Sequence, residues 1–329
     1  MTLIARLKTT ASTLGRTTLG AALGLGLFAS VAGGLPSAAF AQDAAAPATA
    51  AAPRAVVPAA GQGPALWVVR DADSTIYLFG TVHVLRPDTA WGSPAVDAAF
   101  DASSEIWFEI TNPDDQAAAL PLIQQYGVSP NRPLSSILTA DDLAKLDVAA
   151  RSIGATAAQL DPMRPWLVAL TLSVAPLAKA GYDANSGVEI VLRERAVAAG
   201  KPVRGLETME GQLGILAGLS EETQIAFLRS TLEDFEQATV ELDRLVAAWA
   251  TGDTAAIEQI GVIPMMEASP EVYLALLAER NANWATQIET MLEGSGTIFI
   301  AVGAAHLVGA ESVQKMLEDA GVDVQRVQP

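Results

Sequence analysis

The sequence contains no cysteine among its 329 residues, which excludes a disulfide framework and thiolate catalysis. A folded domain must therefore rely on packing, and a metal site would have to use His, Asp and Glu side chains. Histidine is almost as scarce, with His83 and His306 as its two occurrences. Chemistry that needs an imidazole must use one of these two positions.

Basic residues are also few, since 20 Lys and Arg stand against 37 Asp and Glu and give a formal net charge of −17. Nucleic-acid binding depends on basic side chains that displace counterions from phosphates, so we expect no nucleic-acid partner. An acidic surface also serves solubility alone. The sequence has no GxSxG elbow, no HExxH, no P-loop and no glycine-rich dinucleotide fingerprint, and this argues against the enzyme classes that those motifs mark.

Residues 1–41 have the order of a Sec-type signal peptide. Three basic residues precede an apolar run of about residues 19–31, and a small-x-small site ends at Ala41. The run contains glycines and is shorter than the about 20 residues that a membrane-spanning helix needs. We therefore expect cleavage near Ala41, a periplasmic or secreted protein, and no stable membrane span after cleavage.

The rest of the chain divides by composition. Residues 42–63 are rich in Ala and Pro and predict a flexible leader, and residues 64–329 are long enough for one large core. Apolar strand patterns occur early and late in this part, around a helical insertion at about residues 115–295. This order predicts an α/β fold, with a central mixed, mostly parallel sheet built from both ends of the chain.

Local patterns predict several elements. Residues 64–80 indicate a β-hairpin around a turn-forming cluster, and residues 105–110 a strand that ends at Glu109. Helical periodicity over about thirty residues, from a capping position at Ser220 to Gly252, predicts a single long helix.

Both histidines follow the same local pattern, an apolar strand and then GxxH. Gly80 precedes His83 and Gly303 precedes His306. Ligands of open α/β sheets bind beyond the carboxyl ends of the strands, and Glu109 also ends a strand. If the three strands are parallel neighbours, the side chains converge. Two imidazoles and a carboxylate are a common ligand set for one catalytic divalent ion, and Mn, Co, Zn and Fe all fit nitrogen and oxygen ligands.

Each of these residues also has a purely structural interpretation. Both histidines could be satisfied core residues, and Glu109 could reach solvent. Arg280 either holds a carboxylate or polarises a substrate carbonyl, or it is an exposed helix arginine paired with a neighbour. Glu189 could lie near the cleft, and Glu207 could simply cap the following helix.

Seven segments carry a resemblance to a known family: YLFGTVHVLRPDTAW, FEI, MRPWLVAL, GKPVRGLETMEGQLGIL, AWATGD, ERNANWATQI and IFIAVGAAHLVG. In this order, over about residues 65–327, they resemble the TraB/GumN family, to which the Tiki metalloproteases are related. The paired GxxH elements with a glutamate and an arginine between them are specific together, whereas either GxxH alone is a weak signal.

The resemblance implies a fold similar to erythromycin esterase and ChaN-like proteins, and metal-dependent hydrolysis of a peptide or protein substrate. The family's two histidines fall on His83 and His306. Its acidic residue falls on Glu109, as a metal ligand or as the base that deprotonates a bound water, and its arginine falls on Arg280. Trp284 stands where relatives often have Met, which suggests packing, and Glu189 stands where many have Asp.

Two other functions remain open at this point. ChaN-like relatives bind haem, so the protein could be a periplasmic haem or metal binder without catalytic activity. The GumN name implies an accessory factor in envelope polysaccharide assembly, which would act with other envelope-assembly proteins.

Overall fold

The computed structural model describes residues 54–328 of the chain. The predicted signal peptide and the first part of the predicted leader lie outside the described residues. Part of the leader's second half contacts the domain, because Val57–Pro58 pairs with a strand at Ala90–Gly92. Arg54 donates hydrogen bonds to the backbone oxygen of Asn185 and to the carboxylate of Glu194.

The strands define two sheets. Within the described residues they are β1 (Val57–Pro58), β2 (Leu66–Arg70), β3 (Ser74–Thr81), β4 (Ala90–Gly92), β5 (Glu105–Phe108), β6 (Val203–Gly205), β7 (Gly296–Gly303) and β8 (Val324–Arg326). The main sheet has the order β6-β5-β7-β3-β2-β8, and β1 and β4 form a small parallel pair.

The main sheet confirms the predicted mixed, mostly parallel architecture. Strands β6, β5, β7 and β3 are parallel neighbours, whereas β2 is antiparallel to both β3 and β8. The β2–β3 hairpin comes from the start of the domain, and β7 and β8 come from its end. Strand β6 lies inside the predicted helical insertion and forms one edge of the sheet.

Helices connect and cover the strands. In the described residues they are α1 (Pro94–Ala102), α2 (Gln116–Gly127), α3 (Ala140–Ser152), α4 (Ala157–Leu160), α5 (Pro165–Lys179), α6 (Val188–Ala198), α7 (Met209–Gly218), α8 (Glu221–Asp234), α9 (Ala238–Ala250), α10 (Thr254–Ile257), α11 (Ile263–Ala268), α12 (Pro270–Tyr273), α13 (Glu279–Leu292) and α14 (Val313–Asp319). None of these helices is long and apolar enough to cross a membrane.

Alternation along β7 explains how both faces of the sheet are buried. Phe299 and Ala301 point to the larger core, which contains most of the inserted helices, whereas Ile300 and Val302 point to a smaller core with residues of α13 and α14. Side chains alternate between the faces of a strand. Strand β7 is apolar at all four positions because helices cover it on both sides.

The prediction of one helix from Ser220 to Gly252 is wrong. Residues 235–237 form a turn that separates α8 from α9. A straight helix of about thirty residues would extend for about 45 Å and could not keep both halves on one core. The turn lets α8 and α9 both pack against α5, and their apolar residues join the same larger core.

Two further boundaries differ from the sequence pattern and bear on the site. Strand β5 ends at Phe108, so Glu109 is the first residue beyond it. The helical segment that begins at Pro270 contains a π-helical turn, Leu274–Ala278, between α12 and α13. Such turns shift the following side chains out of register with the preceding helix. Arg280 lies two residues after this turn.

An ion pair connects α3 to α8 and predicts a contribution to stability that is lost at acidic pH. Thr139 and Asp142 form a capping box at the start of α3, and the Arg229 guanidinium donates to both Asp142 oxygens at 2.8–3.1 Å. These hydrogen bonds from Arg229 lower the pKa of Asp142 to about 2, even though burial opposes the change.

We expect Asp142→Asn to lower the free energy of unfolding by ~1–2 kcal/mol at pH 7, measured by urea denaturation. A lowered pKa stabilises the folded state above the unfolded-state pKa, so the difference from wild type should shrink below about pH 4 and nearly vanish near pH 2. Asp141→Asn is the matched control, because Asp141 is exposed and pairs with exposed Lys145. An equal effect of both substitutions would contradict the assignment.

Candidate active site

Three parallel strand ends bring the predicted residues together. In the sheet, β7 lies between β3 and β5. His83 follows the end of β3 by two residues, Glu109 directly follows β5, and His306 lies in the short 3-10 turn Ala304–Leu307 after β7. All three residues are at most 3% exposed.

Glu109 is the centre of the cluster. Its Oε1 lies 4.0 Å from Nε2 of His83 and 3.8 Å from Nε2 of His306, and it accepts the backbone N–H of Gly303 at 2.8 Å. Its Oε2 accepts hydrogen bonds from Arg280 at 2.7 Å and from Gln212 at 2.9 Å. Both carboxylate oxygens are therefore held, and Oε1 is held facing the two imidazoles.

Each imidazole is oriented from outside the cluster through its Nδ1 atom. Nδ1 of His83 lies 2.7 Å from Oε1 of Glu189, and Nδ1 of His306 lies 2.6 Å from Oδ1 of Asn281. The Asn281 amide nitrogen donates to the backbone oxygen of Glu311, which leaves Oδ1 as the acceptor toward His306. A proton on Nδ1 of both rings satisfies these contacts and directs the Nε2 lone pairs toward Glu109.

Arg280 is buried and bridges two carboxylates. Its Nη2 donates to Glu109 and to Glu207 at 2.7 and 2.9 Å, and its Nε donates to Glu207 at 3.0 Å. Nη1 donates to the backbone oxygen of Leu276 at 3.0 Å and lies 3.1 Å from Nε2 of His306. Burial disfavours its charge, but Glu109 and Glu207 outweigh burial and raise the pKa of Arg280. The interpretation of Arg280 as an exposed helix arginine is wrong.

Glu207 does not cap α7, which was one interpretation of the sequence. The cap of α7 is Thr208, whose side chain accepts from the backbone N–H of Gly211. Glu207 instead accepts hydrogen bonds from Arg280, from the Trp284 indole at 3.0 Å and from the Gln212 amide at 3.0 Å. Its backbone N–H donates to the backbone oxygen of Glu109 at 2.8 Å. Strand β6 runs beside β5, and this backbone pairing places the two side chains next to each other.

Trp284 packs as predicted and also binds a polar partner. Its ring centroid lies 4.3 Å from that of His306, and the Arg280 guanidinium lies over its ring at 4.7 Å. Because its indole N–H is bound to Glu207, this fully buried ring adds no unsatisfied donor to the core.

Close backbone approaches explain the glycine of the first GxxH turn. A Cβ at Gly80 would lie 3.1 Å from Cα of Ala304, so the two GxxH turns touch there. The Gly80 carbonyl oxygen also accepts the indole N–H of Trp249 at 2.7 Å. The turn that presents His83 is thereby fixed against both the second turn and α9.

Comparison with known proteins assigns the family. A model of the TraB/PrgY/gumN family matches residues 65–326. The chain belongs to this family. This confirms the resemblance that the paired GxxH segments carry.

The relatives are similar over most of their length. An uncharacterized protein of Treponema pallidum is 22% identical over 263 residues, covering 75% of this chain and 78% of the relative. Uncharacterized protein YbaP of Escherichia coli is 23% identical over 257 residues, or 77% of this chain and 92% of its own length. YbaP of Shigella flexneri is 26% identical over 185 residues, covering 56% and 67% of the two chains. No solved structure gives a significant match.

The site of this TraB/PrgY/gumN chain holds three carboxylates and one permanently charged cation. The Arg280 guanidinium pairs with Glu109 and Glu207, and the carboxylate of Glu189 contacts His83. Burial raises the pKa of Glu109, but Arg280 and the two histidines lower it further, to about 2. Burial likewise opposes the charge on His83, yet Glu189 raises the pKa of this ring. The local field therefore favours additional positive charge.

The donor chemistry of the cluster fits a divalent ion. Divalent-ion sites commonly use imidazole nitrogens and carboxylate oxygens as ligands. Here the Nε2 atoms of two imidazoles point inward, with a carboxylate oxygen between them. Among residues 54–328, no three His, Asp or Glu side chains already stand at metal-binding spacing. The separations of 3.8 and 4.0 Å exceed the about 3.4 Å expected between tetrahedral ligands with bonds of about 2.1 Å. His306 would have to exchange its contact with Arg280 for the ion.

Sequence reasoning missed Asn281 and Gln212 as members of the site. Asn281 is next to Arg280 in the chain, but a helix places consecutive residues about 100° apart, so adjacency alone was no guide. Gln212 lies one turn after Thr208 on the inner face of α7. Nothing in the sequence distinguishes either amide from those exposed on other helices, because their partners are distant in the chain.

Proposed function

We propose that this TraB/PrgY/gumN protein is an exported metal-dependent hydrolase that acts on peptide bonds. The observation that carries the proposal is the arrangement of the imidazoles. Nδ1 of each ring is held from outside by a carboxylate or an amide, and both Nε2 atoms face one oxygen of Glu109. Satisfied core histidines do not require two inward-facing nitrogens around a buried carboxylate.

His83, His306 and Glu109 would hold one divalent ion, and Mn, Co, Zn and Fe all suit these donors. When bound, such an ion would polarise the substrate carbonyl and lower the pKa of a bound water molecule. Glu109 would act as a ligand through Oε1, which accepts one hydrogen bond, from Gly303, and faces both imidazoles. Glu189 and Asn281 fix the ring orientations.

Arg280 supplies the fixed positive charge for an anionic intermediate. Glu207, Glu109 and the Leu276 oxygen hold the guanidinium in one orientation, so little reorganisation is needed when negative charge develops nearby. Peptide substrates follow from the family resemblance. Export follows from residues 1–41, whose sequence pattern is that of a signal peptide.

Metal uptake tests the proposal without a substrate. The protein that begins at Gln42 should contain about one divalent ion per chain by elemental analysis after dialysis against metal. We expect the His83→Ala/His306→Ala double variant and Glu109→Gln to lose at least tenfold in metal affinity. Glu279→Gln is the matched control, because Glu279 is an exposed glutamate on the same helix as Arg280.

Circular dichroism and urea denaturation must first show that the variants are folded. Unchanged metal uptake and unchanged peptide hydrolysis in a folded double variant would refute the proposal. A haem titration distinguishes this proposal from the haem-binding candidate. A Soret shift in the wild type that is lost in either His→Ala variant would indicate a haem binder. The cavity beside His83, about 10 Å³, is far too small for a porphyrin in this conformation.

A further inference from the structure

A small cavity lies beside His83, between the ends of β3 and β5 and the start of α6. Its volume is about 10 Å³. Its apolar wall is formed by Phe108, Ile110, Pro113 and Ala301, and its polar lining by Thr81, His83, Glu109 and Glu189. A cavity of this size holds about one water molecule.

Two oxygens of this cavity lack hydrogen-bond partners among residues 54–328. They are Oγ1 of Thr81 and Oε2 of Glu189. Thr81 is 1% exposed and Glu189 is 8% exposed, so bulk water does not satisfy them. Buried polar groups almost always have a partner, protein or ordered water, because leaving them without one is costly. Two such oxygens in one cavity indicate a shared ligand.

The chemistry of the lining selects the ligand. An anion is excluded because Glu189 presents a carboxylate. The proposed function assigns His83 and Glu109 to the divalent ion, so two oxygens and an apolar wall remain. A second, hard cation such as Mg²⁺ or Ca²⁺ would need about six oxygen ligands. Water needs two to four partners and can donate to the carboxylate while it accepts from or donates to the hydroxyl.

We propose that Thr81 and Glu189 bind a single water molecule next to His83, and that this water is the one used in hydrolysis. Its oxygen would bond to the substrate carbonyl carbon as the C–N bond breaks, and one of its protons would pass to Oε2 of Glu189 and from there to the leaving amine. The second half of the proposal rests on the proposed function. Glu189 contacts His83 with Oε1 and the water with Oε2, so one side chain aligns the imidazole and the water. Thr81 holds the water in place, and Glu189 both holds it and is placed to receive its proton. Glu109 also lines the cavity, but the proposed function assigns its Oε1 to the divalent ion.

Crystal structures of three proteins test the water site. The wild type should show a density peak within about 3 Å of both oxygens. Thr81→Val, which is similar in shape and lacks the hydroxyl, should lose this peak, whereas Thr81→Ser should keep it. Thr81→Ala serves if the valine variant fails to fold. An empty cavity in the wild type, a peak that persists in Thr81→Val, or an anomalous signal from a metal at the position of the peak itself would overturn the water site.

Solution measurements test the role of the water separately. Thr81→Val should keep the wild-type metal content, because Thr81 has no contact with the proposed ligand atoms. It should hydrolyse peptides about tenfold more slowly or worse, as expected when a reactant is misplaced, and Thr81→Ser should restore most of the rate. An unchanged rate in Thr81→Val would overturn the role of the water. A wild type without metal or hydrolysis would refute the proposed function, and the density peak would still decide the water site.

Discussion

Replacement of Arg280 by methionine is expected to lower the free energy of unfolding by about 3–5 kcal/mol at pH 7. The guanidinium is 3% exposed and is hydrogen-bonded to the buried carboxylate of Glu109 and to that of Glu207, whose side chain is 15% exposed. Without it, two negative charges remain side by side and largely away from water. The desolvation of these charges is then uncompensated, and this cost exceeds any gain from the apolar methionine.

Urea denaturation of the purified protein measures this loss of unfolding free energy. Two further variants show whether it comes from the buried ion pairs. Arg204→Met is the matched control, since Arg204 pairs with Glu105 but its side chain is 56% exposed; we expect a loss below ~1 kcal/mol. Adding Glu207→Gln to Arg280→Met should recover part of the stability, because it removes one of the two unpaired charges. If Arg280→Met costs no more than Arg204→Met, the buried bridge does not form.

Replacement of Gly187 by alanine is expected to lower the free energy of unfolding by about 3 kcal/mol. A Cβ at this position would lie 2.3 Å from the backbone oxygen of His83 and 3.0 Å from its carbonyl carbon. Both are backbone atoms, so no flexible side chain can move out of the way. The φ and ψ of Gly187 are −54° and 141°, which any residue adopts, so the expected cost is steric.

The same substitution should also disturb the site. Gly187 is the N-cap residue of α6, and the N–H of Val188 donates to the backbone oxygen of Val82 at 3.1 Å. Separation of α6 from the first GxxH turn would lengthen the contact between His83 and Glu189. Metal affinity should therefore fall together with stability.

Gly214→Ala is the matched control for this glycine. Gly214 lies inside α7 with open space around its Cα, so a methyl group meets no atom within 4 Å. Alanine favours a helix over glycine, and we expect Gly214→Ala to stabilise the protein by about 0.5–1 kcal/mol. Urea denaturation of both variants should give effects of opposite sign. Equal effects would show that α6 is not packed on the His83 backbone.

Patterns local in sequence predicted much of the fold. The β2–β3 hairpin follows from two apolar segments around a turn, and the parallel strands follow from apolar runs without polar alternation. The break between α8 and α9 was not predictable in this way, because periodicity continues through residues 235–237. It depends on how both halves reach α5, and that is a property of packing.

The residues of the site divide along the same line. His83, His306 and Glu109 were predictable because each follows an apolar strand, and parallel strands end at the same edge of a sheet. The contacts of Glu207 and Gln212 were not predictable. Their partner Glu109 is about a hundred residues away in the chain, and a hydrogen bond depends on distance and angle in space.

By itself, the sequence determined that this protein has no disulfide and no thiolate chemistry, that its imidazoles occur in two GxxH turns, and that strands from both ends of the chain join in one sheet. These properties follow from composition and from periodicity over a few residues. Only the tertiary structure decided that Arg280 is buried between two carboxylates, that Glu189 and Asn281 orient the imidazoles, and that Thr81 shares a cavity with Glu189. These contacts depend on elements that pack together although they are far apart in the chain.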